Sequence, residues 1–367
     1  MTVRSSISSF MPAAPPFRQR GFWRGFFLFV LLCVAAAVAA GLWLWQDYQR
    51  FLQAPLMGPG ESRVIEISRG TSFRGVVAQL QALGVDGGVH EVYWRALGWE
   101  RKARIQAGEY AIEPGLTPVS LLEKFARGQV IQYRFTMVEG WTVHELRVAL
   151  AADPVLVQTL GGVPQEALLA RLGVASPLAS AAVGQSPEGL FLPETYHFTR
   201  GTTDAQLLQR AHAALVKAMD GAWSAKSADV PLASPYEALV LASIVEKETG
   251  LPEERGEVAG VFVRRLRLGM KLQTDPTVIY GMGPEFSGPL LRRHLEADTP
   301  HNTYTRFGLP PTPIALPGRA AIQAALNPAP GDSLYFVAHG SGGHVFSRTL
   351  EEHNRAVADY RRRMRGQ

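Results

Sequence analysis

Two glutamates, Glu246 and Glu248, close a helical run that is apolar on almost every side, Glu237-Ala-Leu-Val-Leu-Ala-Ser-Ile-Val245. A run of that kind belongs inside a core, and Gly250 with Pro252 reads as its stop. A carboxylate is thereby delivered at the C-terminal end of a buried helix. Apolar surroundings and the negative end of the helix dipole both raise its pKa. A carboxyl group held protonated near neutral pH is what a general acid requires. Two residues apart on a helix, the pair points about 200° apart and cannot share one wall closely. The pattern does not choose between them, and the plainer reading is a solvated last helical turn.

Polar residues cluster just downstream. An amphipathic helix carrying Arg264, Arg265 and Arg267 stops at Gly269. The stretch Leu272-Gln-Thr-Asp-Pro-Thr-Val-Ile-Tyr-Gly-Met-Gly283 then reads as a loop presenting Gln273, Asp275 and Thr277. Upstream, Gly189 and Pro193 shape a turn around Glu188, Glu194 and Tyr196, a combination suited to hydrogen-bonding hydroxyl groups. The alternative is a structural turn in which Glu188 serves as a cap. Asn302 and Tyr304 precede a proline-dense run, 308–318, expected to be an extended wall or a lid rather than a helix.

Other chemistries lack their parts. Among nine histidines, His90-Glu91 and His144-Glu145 begin like a zinc-protease motif but have no second histidine at the required spacing. His339, His344 and His353 are close in sequence but fall on a hairpin and the next helix, a poor metal set. No Gly-x-Ser-x-Gly elbow appears, and Gly281-x-Gly283 alone is a weak phosphate-loop signal. No metal and no cofactor is expected. The one cysteine, Cys33, lies in an apolar segment, so the remainder has neither disulfides nor a thiolate nucleophile.

The elements that must position these groups follow an ordered plan in 367 residues. Residues 1–24 hold four arginines and no acidic residue and read as a disordered tail. Residues 25–45 carry no charge and end in Trp43 and Trp45, the length and flank of a membrane span. The preceding arginines and the following Asp47 put the N-terminus in the cytoplasm and the rest outside. The competing reading is a cleaved signal peptide. Residues 46–62 read as a Pro/Gly-punctuated linker. A strand–Gly–Thr–helix motif then recurs at Val64–Thr71, Tyr110–Thr117 and Phe135–Thr142, with each threonine placed as an N-cap. Residues 143–185 and 204–225 read as helical, and 334–346 as a hairpin before a last helix. The class is α+β: a transmembrane helix, a small α+β module and a larger mixed α+β domain. The net charge of +5 is scattered, with no basic patch interleaved with aromatics, so nucleic acid is not an expected partner.

Leu241-Ala-Ser-Ile-Val-Glu-Lys-Glu-Thr249, Leu272-Gln-Thr-Asp-Pro-Thr-Val-Ile-Tyr-Gly281, Glu188-Gly-Leu-Phe-Leu-Pro-Glu-Thr-Tyr196, Asn302-Thr-Tyr304, Ala325-Leu-Asn-Pro328 and Gly342-Gly-His-Val-Phe346 together resemble the signature of the YceG-like family, the endolytic murein transglycosylases. His301 departs from it, standing where the family usually has tyrosine. The resemblance implies a LysM-like module over 63–135 and a catalytic domain over 136–367. It implies Glu246 as acid/base, with Glu248 supporting or in reserve. Glu188, Glu194, Tyr196, Gln273, Asp275, Thr277, Asn302 and Tyr304 would then bind substrate. The implied reaction is cleavage of the MurNAc–GlcNAc β-1,4 bond in nascent peptidoglycan strands to 1,6-anhydro-MurNAc ends, at the periplasmic face of the inner membrane and beside peptidoglycan synthases. A muramidase-type hydrolase, with Asp275 or Glu194 as second carboxylate, and a non-catalytic wall-binding scaffold are the rivals.

Overall fold

The apolar run at the N-terminus folds as α1, Gln19–Gln53, in a computed structural model that describes residues 19–85, 91–101, 104–174, 178, 186–340 and 342–365. The tail reading over 1–18, His90, and residues 175–177 and 179–185 of the expected helical stretch lie outside the described residues. Among the described residues one helix, Trp23–Gln53, is long and apolar enough to cross a membrane. Its Phe27, Leu31 and Trp43 side chains are exposed, as suits a segment surrounded by lipid rather than protein.

Helix α1 outruns the expected span at both ends: it takes in residues 19–24, read as disordered tail, and 46–53, which the Pro/Gly punctuation assigns to a linker. Tyr48, Phe51 and Leu52 lie at i, i+3 and i+4 and pack onto the first core, with Phe51 edge-on to Trp94 at 5.4 Å. That apolar stripe carries the helix on, and the linker is confined to the residues after Gln53.

The chain divides into two compact units, residues 1–131 and 132–367. In the first, α1 is followed by β1 (Arg63–Ile67), α2 (Phe73–Ala82), α3 (Glu91–Glu100), β2 (Gly108–Ile112) and α4 (Pro118–Ala126). Strands β1 and β2 pair antiparallel, Ile65 opposite Tyr110. Their alternate side chains Ile65, Ile67, Tyr110 and Ile112 are buried with Val76, Leu80, Trp94, Leu97 and Phe125. Thr117 caps α4 in a reciprocal capping box with Ser120. At α2 the cap is Ser72 rather than Thr71, because Ser72 Oγ reaches the Gly75 N–H at 3.2 Å while Thr71 donates back to Ser68 O.

The second unit contains β3 (Tyr133–Thr136), α5 (Val143–Ala152), α6 (Leu168–Leu172), β4 (Thr195–Phe198), α7 (Asp204–Ser224), α8 (Pro235–Glu248), α9 (Arg255–Arg267), α10 (Asp275–Gly281), α11 (Arg292–Glu296), α12 (Arg319–Leu326), β5 (Tyr335–Ala338), β6 (His344–Ser347) and α13 (Leu350–Arg365). The third copy of the strand motif, β3, pairs with β4, Phe135 opposite Tyr196. Thr142 closes a capping box with Glu145 at α5. The expected helical stretch after α5 is instead mostly irregular. Asp153 and Pro154 end α5, and the buried Asp204 carboxylate accepts from the Thr159 and Leu160 N–H groups at 2.9 and 3.0 Å, holding that chain extended.

Helix α8 is the centre of this unit. Every residue from Ala238 to Val245 is buried, and α7, α9, α10 and α12 all pack against it. The proline-dense run forms its remaining side as a wall, not a lid. Residues 312–318 are buried, the Ile314 N–H donates to Ser243 Oγ at 3.0 Å, and the Leu316 N–H donates to Trp141 O at 2.7 Å. The stretch expected as a loop over 272–283 contains α10, whose proline sits in the first turn where its missing N–H costs nothing.

Gly189 holds the turn at Glu188 with φ +76°, and a Cβ there would lie 2.5 Å from Pro313 Cβ. Gly189→Ala is expected to destabilise the protein by about 2–4 kcal/mol through the left-handed backbone and the clash with the wall. Urea unfolding of the full chain in detergent measures it, and an unchanged midpoint would refute the packing argument.

Candidate active site

The last turn of α8 sends its two glutamates into different surroundings. Glu246 Oε2 accepts from the Gly318 N–H at 2.8 Å, and Oε1 lies 3.8 Å from Arg255 Nη2. Its side chain is 6% exposed. A Cβ on Gly318 would collide with the Glu139 carboxylate, so glycine is what lets wall and carboxylates meet there. Burial raises the Glu246 pKa, and the Glu139 charge adds to it against the Gly318 N–H and Arg255.

Glu248, by contrast, lines a cavity of about 540 Å³ together with Gln273, Asp275 and Tyr304. It accepts a hydrogen bond from Thr274 Oγ1. Burial raises its pKa, reinforced by Asp275, with Thr274, His344 and Arg265 acting the other way. A raised pKa keeps the proton on at pH values where an ordinary carboxyl has lost it. Helical spacing left the pair open, and the two carboxyls differ in what each face of α8 packs against: Glu248 is the one that lines this cavity.

Gln273 is strained. Among the described residues it is the one non-glycine with positive φ, +50°, a conformation that costs energy unless its surroundings impose it. Its N–H donates to Thr303 O at 3.2 Å, and the Thr274 N–H donates to Thr303 Oγ1 at 3.0 Å. Thr277, fully buried, bonds Thr274 O and Thr303 Oγ1 at 2.7 and 2.9 Å. Asn302 Nδ2 donates to the Ala297 and Leu295 carbonyls at 2.6 and 3.0 Å, while its Oδ1 accepts from the Tyr304 N–H at 2.8 Å. Thr277 and Asn302 are therefore braces behind the cavity. Tyr304 is held at it, its hydroxyl donating to Asp275 Oδ1 at 2.5 Å.

The other expected contacts lie elsewhere. Glu188, 1% exposed, accepts from the Val143 N–H at 3.0 Å and from the Tyr280 hydroxyl at 3.1 Å, acting as a second cap on α5. Tyr196 is buried and donates to Leu192 O at 2.8 Å. Glu194 pairs with Arg319 at 2.6 Å on a partly exposed surface, an arrangement of small energetic weight.

Sequence reasoning had not placed Arg265, Tyr335, His344 and His353 around the cavity, yet they line it. Arg265 is buried, donates to the Leu334 and Leu272 carbonyls at 2.7 and 2.8 Å, and sits 5.1 Å over the Tyr335 ring. Its signal was legible: Val258, Phe262 and Arg265 share the i, i+4, i+7 stripe that α9 buries. The hairpin residues carried no such signal. His344 is brought there by Glu254, whose Oε1 accepts the His344 N–H and whose Oε2 lies 2.8 Å from Nδ1. No group of three or more His, Cys, Asp or Glu residues is arranged to hold a metal among the described residues.

Comparison with known proteins extends this picture. A profile of the YceG-like family matches residues 65–359. The endolytic murein transglycosylase of Bacillus subtilis is 30% identical over 266 residues, 70% of this chain and 73% of that protein. The Streptococcus pneumoniae protein of the same name is 26% identical over 367 residues, 91% of this chain and 65% of that one, so this chain spans slightly less than two thirds of its length. A crystal structure of a YceG-like protein from Listeria monocytogenes superposes with a TM-score of 0.51 at 29% identity, covering 80% of this chain and 99% of that chain.

Burial lifts the Glu188 pKa from 4.5 to about 7. The folded state therefore holds this proton more tightly than the unfolded one. The resulting stabilisation, about 3 kcal/mol, is full below pH 4.5 and lost as pH rises to about 7. Glu188→Gln is expected to remove that component, so its urea midpoint changes less between pH 4.5 and 8 than that of the wild type; equal slopes would show that Glu188 titrates alike in both states.

Proposed function

The chain belongs to the YceG-like family, and on that premise we propose that it cleaves peptidoglycan glycan strands internally at the MurNAc–GlcNAc β-1,4 bond, leaving 1,6-anhydro-MurNAc ends. The enzyme class is lytic transglycosylase, the class named by its relatives. One observation carries the mechanism: a buried carboxyl of raised pKa, Glu248, faces a cavity that also holds Gln273, Asp275 and Tyr304.

Protonated Glu248 gives its proton to the glycosidic oxygen as the bond to C1 of MurNAc breaks, releasing the GlcNAc hydroxyl. The resulting carboxylate takes the proton from the C6 hydroxyl of the same MurNAc, whose oxygen closes onto C1. One carboxyl thus serves as acid and then base, and no water is consumed. The amide of Gln273 and the Tyr304–Asp275 pair bind the sugar hydroxyls and stabilise the oxocarbenium-like centre. The resemblance implies Glu246 as acid/base with Glu248 in reserve; we favour Glu248, because it lines the cavity while the Glu246 carboxylate is engaged by Gly318 and Arg255. Glu188, Tyr196, Thr277 and Asn302 serve as scaffold.

Helix α1 anchors the protein in the inner membrane, with the arginines that precede the apolar span on the cytoplasmic side and the residues that follow the span in the periplasm. There the enzyme meets nascent strands as peptidoglycan synthases extend them and terminates their growth. The strand–helix–helix–strand order of the first unit supports its reading as a LysM-like module.

A hydrolytic reading draws on Asp275, a second carboxylate lining the same cavity. Mass spectrometry of products from uncrosslinked strands, using the full chain in detergent, separates the two. Anhydro ends from wild type, reduced about a thousandfold in Glu248→Gln, are the expected result. Glu246→Gln should lower stability by leaving Arg255 unpaired, yet still give anhydro ends. Products heavier by one water would establish a hydrolase, and an active Glu248→Gln would return the acid role to Glu246.

A further inference from the structure

A second cavity, about 470 Å³, lies in the same unit and is not used by the mechanism above; Tyr236, Glu237, Val240, Leu266, Phe307 and Pro311 line it. Phe307 is 70% exposed, a large apolar ring left open at the rim of this cavity. The Lys271 ammonium lies 5.0 Å from the centroid of the Phe307 ring. Across the cavity the Tyr236 hydroxyl is fixed by donating to Pro311 O at 3.2 Å, and Glu237 supplies a carboxylate already bonded to the Ala233 N–H at 2.7 Å. An open aromatic face beside a polar rim matches a pyranose, which offers C–H groups on its face and hydroxyls at its edge.

The position of this cavity singles out its occupant. Two of its segments adjoin segments that line the Glu248 cavity, and Lys271 lies between the cavities without lining either. Leu266 follows Arg265 on α9, Phe307 follows Tyr304 by three residues, and Lys271 leads directly into Leu272 and Gln273. Along α8, Val240 and Glu248 are eight residues apart, about 12 Å of helix rise. A strand cut internally must extend beyond the cleaved bond; α8 itself is covered between the two cavities, and the way from one to the other runs over Lys271, which meets the Phe307 ring.

We propose that this second cavity is a distal saccharide subsite, with Phe307 as a stacking platform for a sugar of the same glycan strand whose bond lies at Glu248. The proposal rests on the transglycosylase reading for the identity of the polymer, and it predicts affinity that grows with strand length. Lys271 braces the ring and Glu237 bonds the hydroxyl edge.

The test is calorimetric binding of stem-free glycan strands, short and long, to the full chain in detergent carrying Glu248→Gln so that nothing is cut. Adding Phe307→Ala is expected to weaken binding of long strands about tenfold, the effect of truncating a stacked aromatic. Phe307→Trp should retain the long-strand affinity. Long-strand affinity unchanged by Phe307→Ala would overturn the proposal. So would a loss confined to strands that carry peptide stems, which would make the occupant peptide. Product analysis with wild type decides the reaction separately: hydrolytic products with a Phe307-dependent affinity would sink the transglycosylase reading and leave the subsite standing.

Discussion

Helix α8 has no polar face between Ala238 and Val245. A helix of that composition persists in water only if neighbours cover it on all sides, and the second unit is arranged to do so. Helices α7, α9, α10 and α12 surround it, and the buried run 312–318 closes the remaining side through Ser243, which also donates to Val240 O at 2.7 Å. The same enclosure strips water from the helix's last turn. Burial is the leading cause of the raised pKa at both Glu246 and Glu248, so packing and acid chemistry come from one constraint.

The two glutamates show two ways of tolerating a buried carboxyl. Glu246 is compensated by Arg255 and the Gly318 N–H and ties the end of α8 to the starts of α9 and α12. Among the described residues no salt bridge within 4 Å joins Glu248, although Arg265 and His344 lie near enough to lower its pKa. It takes a hydroxyl donor from Thr274 and otherwise faces the cavity. Burial makes its charged form costly, and Thr274, His344 and Arg265 offset part of that cost, so its pKa stays raised. That preference for the protonated form is what the proposed acid role draws on.

Around Glu248 the fold brings together residues with little in common locally. Gln273 occupies a strained backbone position held by Thr303, Tyr304 is set by the Asn302 side chain, and the β5–β6 hairpin is fixed to the start of α9 by the Glu254–His344 contacts. Strain at Gln273 marks a position where tertiary bonds override local preference. The braces Thr277, Asn302 and Glu188 are almost wholly buried, which explains why polar residues that look like ligands in the sequence turn inward to satisfy backbone groups.

The sequence by itself determined the apolar span of α1, the buried character of α8 and its terminal glutamates, the caps Thr117 and Thr142, and the hairpin at 334–346, because each rests on periodicity or local hydrogen bonding within a few residues. Only tertiary structure decided which glutamate meets the cavity, since that depends on Gly318 and Arg255 covering one face of α8 while Thr274 and Tyr304 leave the other open. It also decided that α1 runs on through Gln53, where Trp94 receives Phe51. It turned Glu188 and Tyr196 into scaffold, for a turn motif shows which polar groups are present but not whether a helix N-terminus or a solvent cavity lies opposite them.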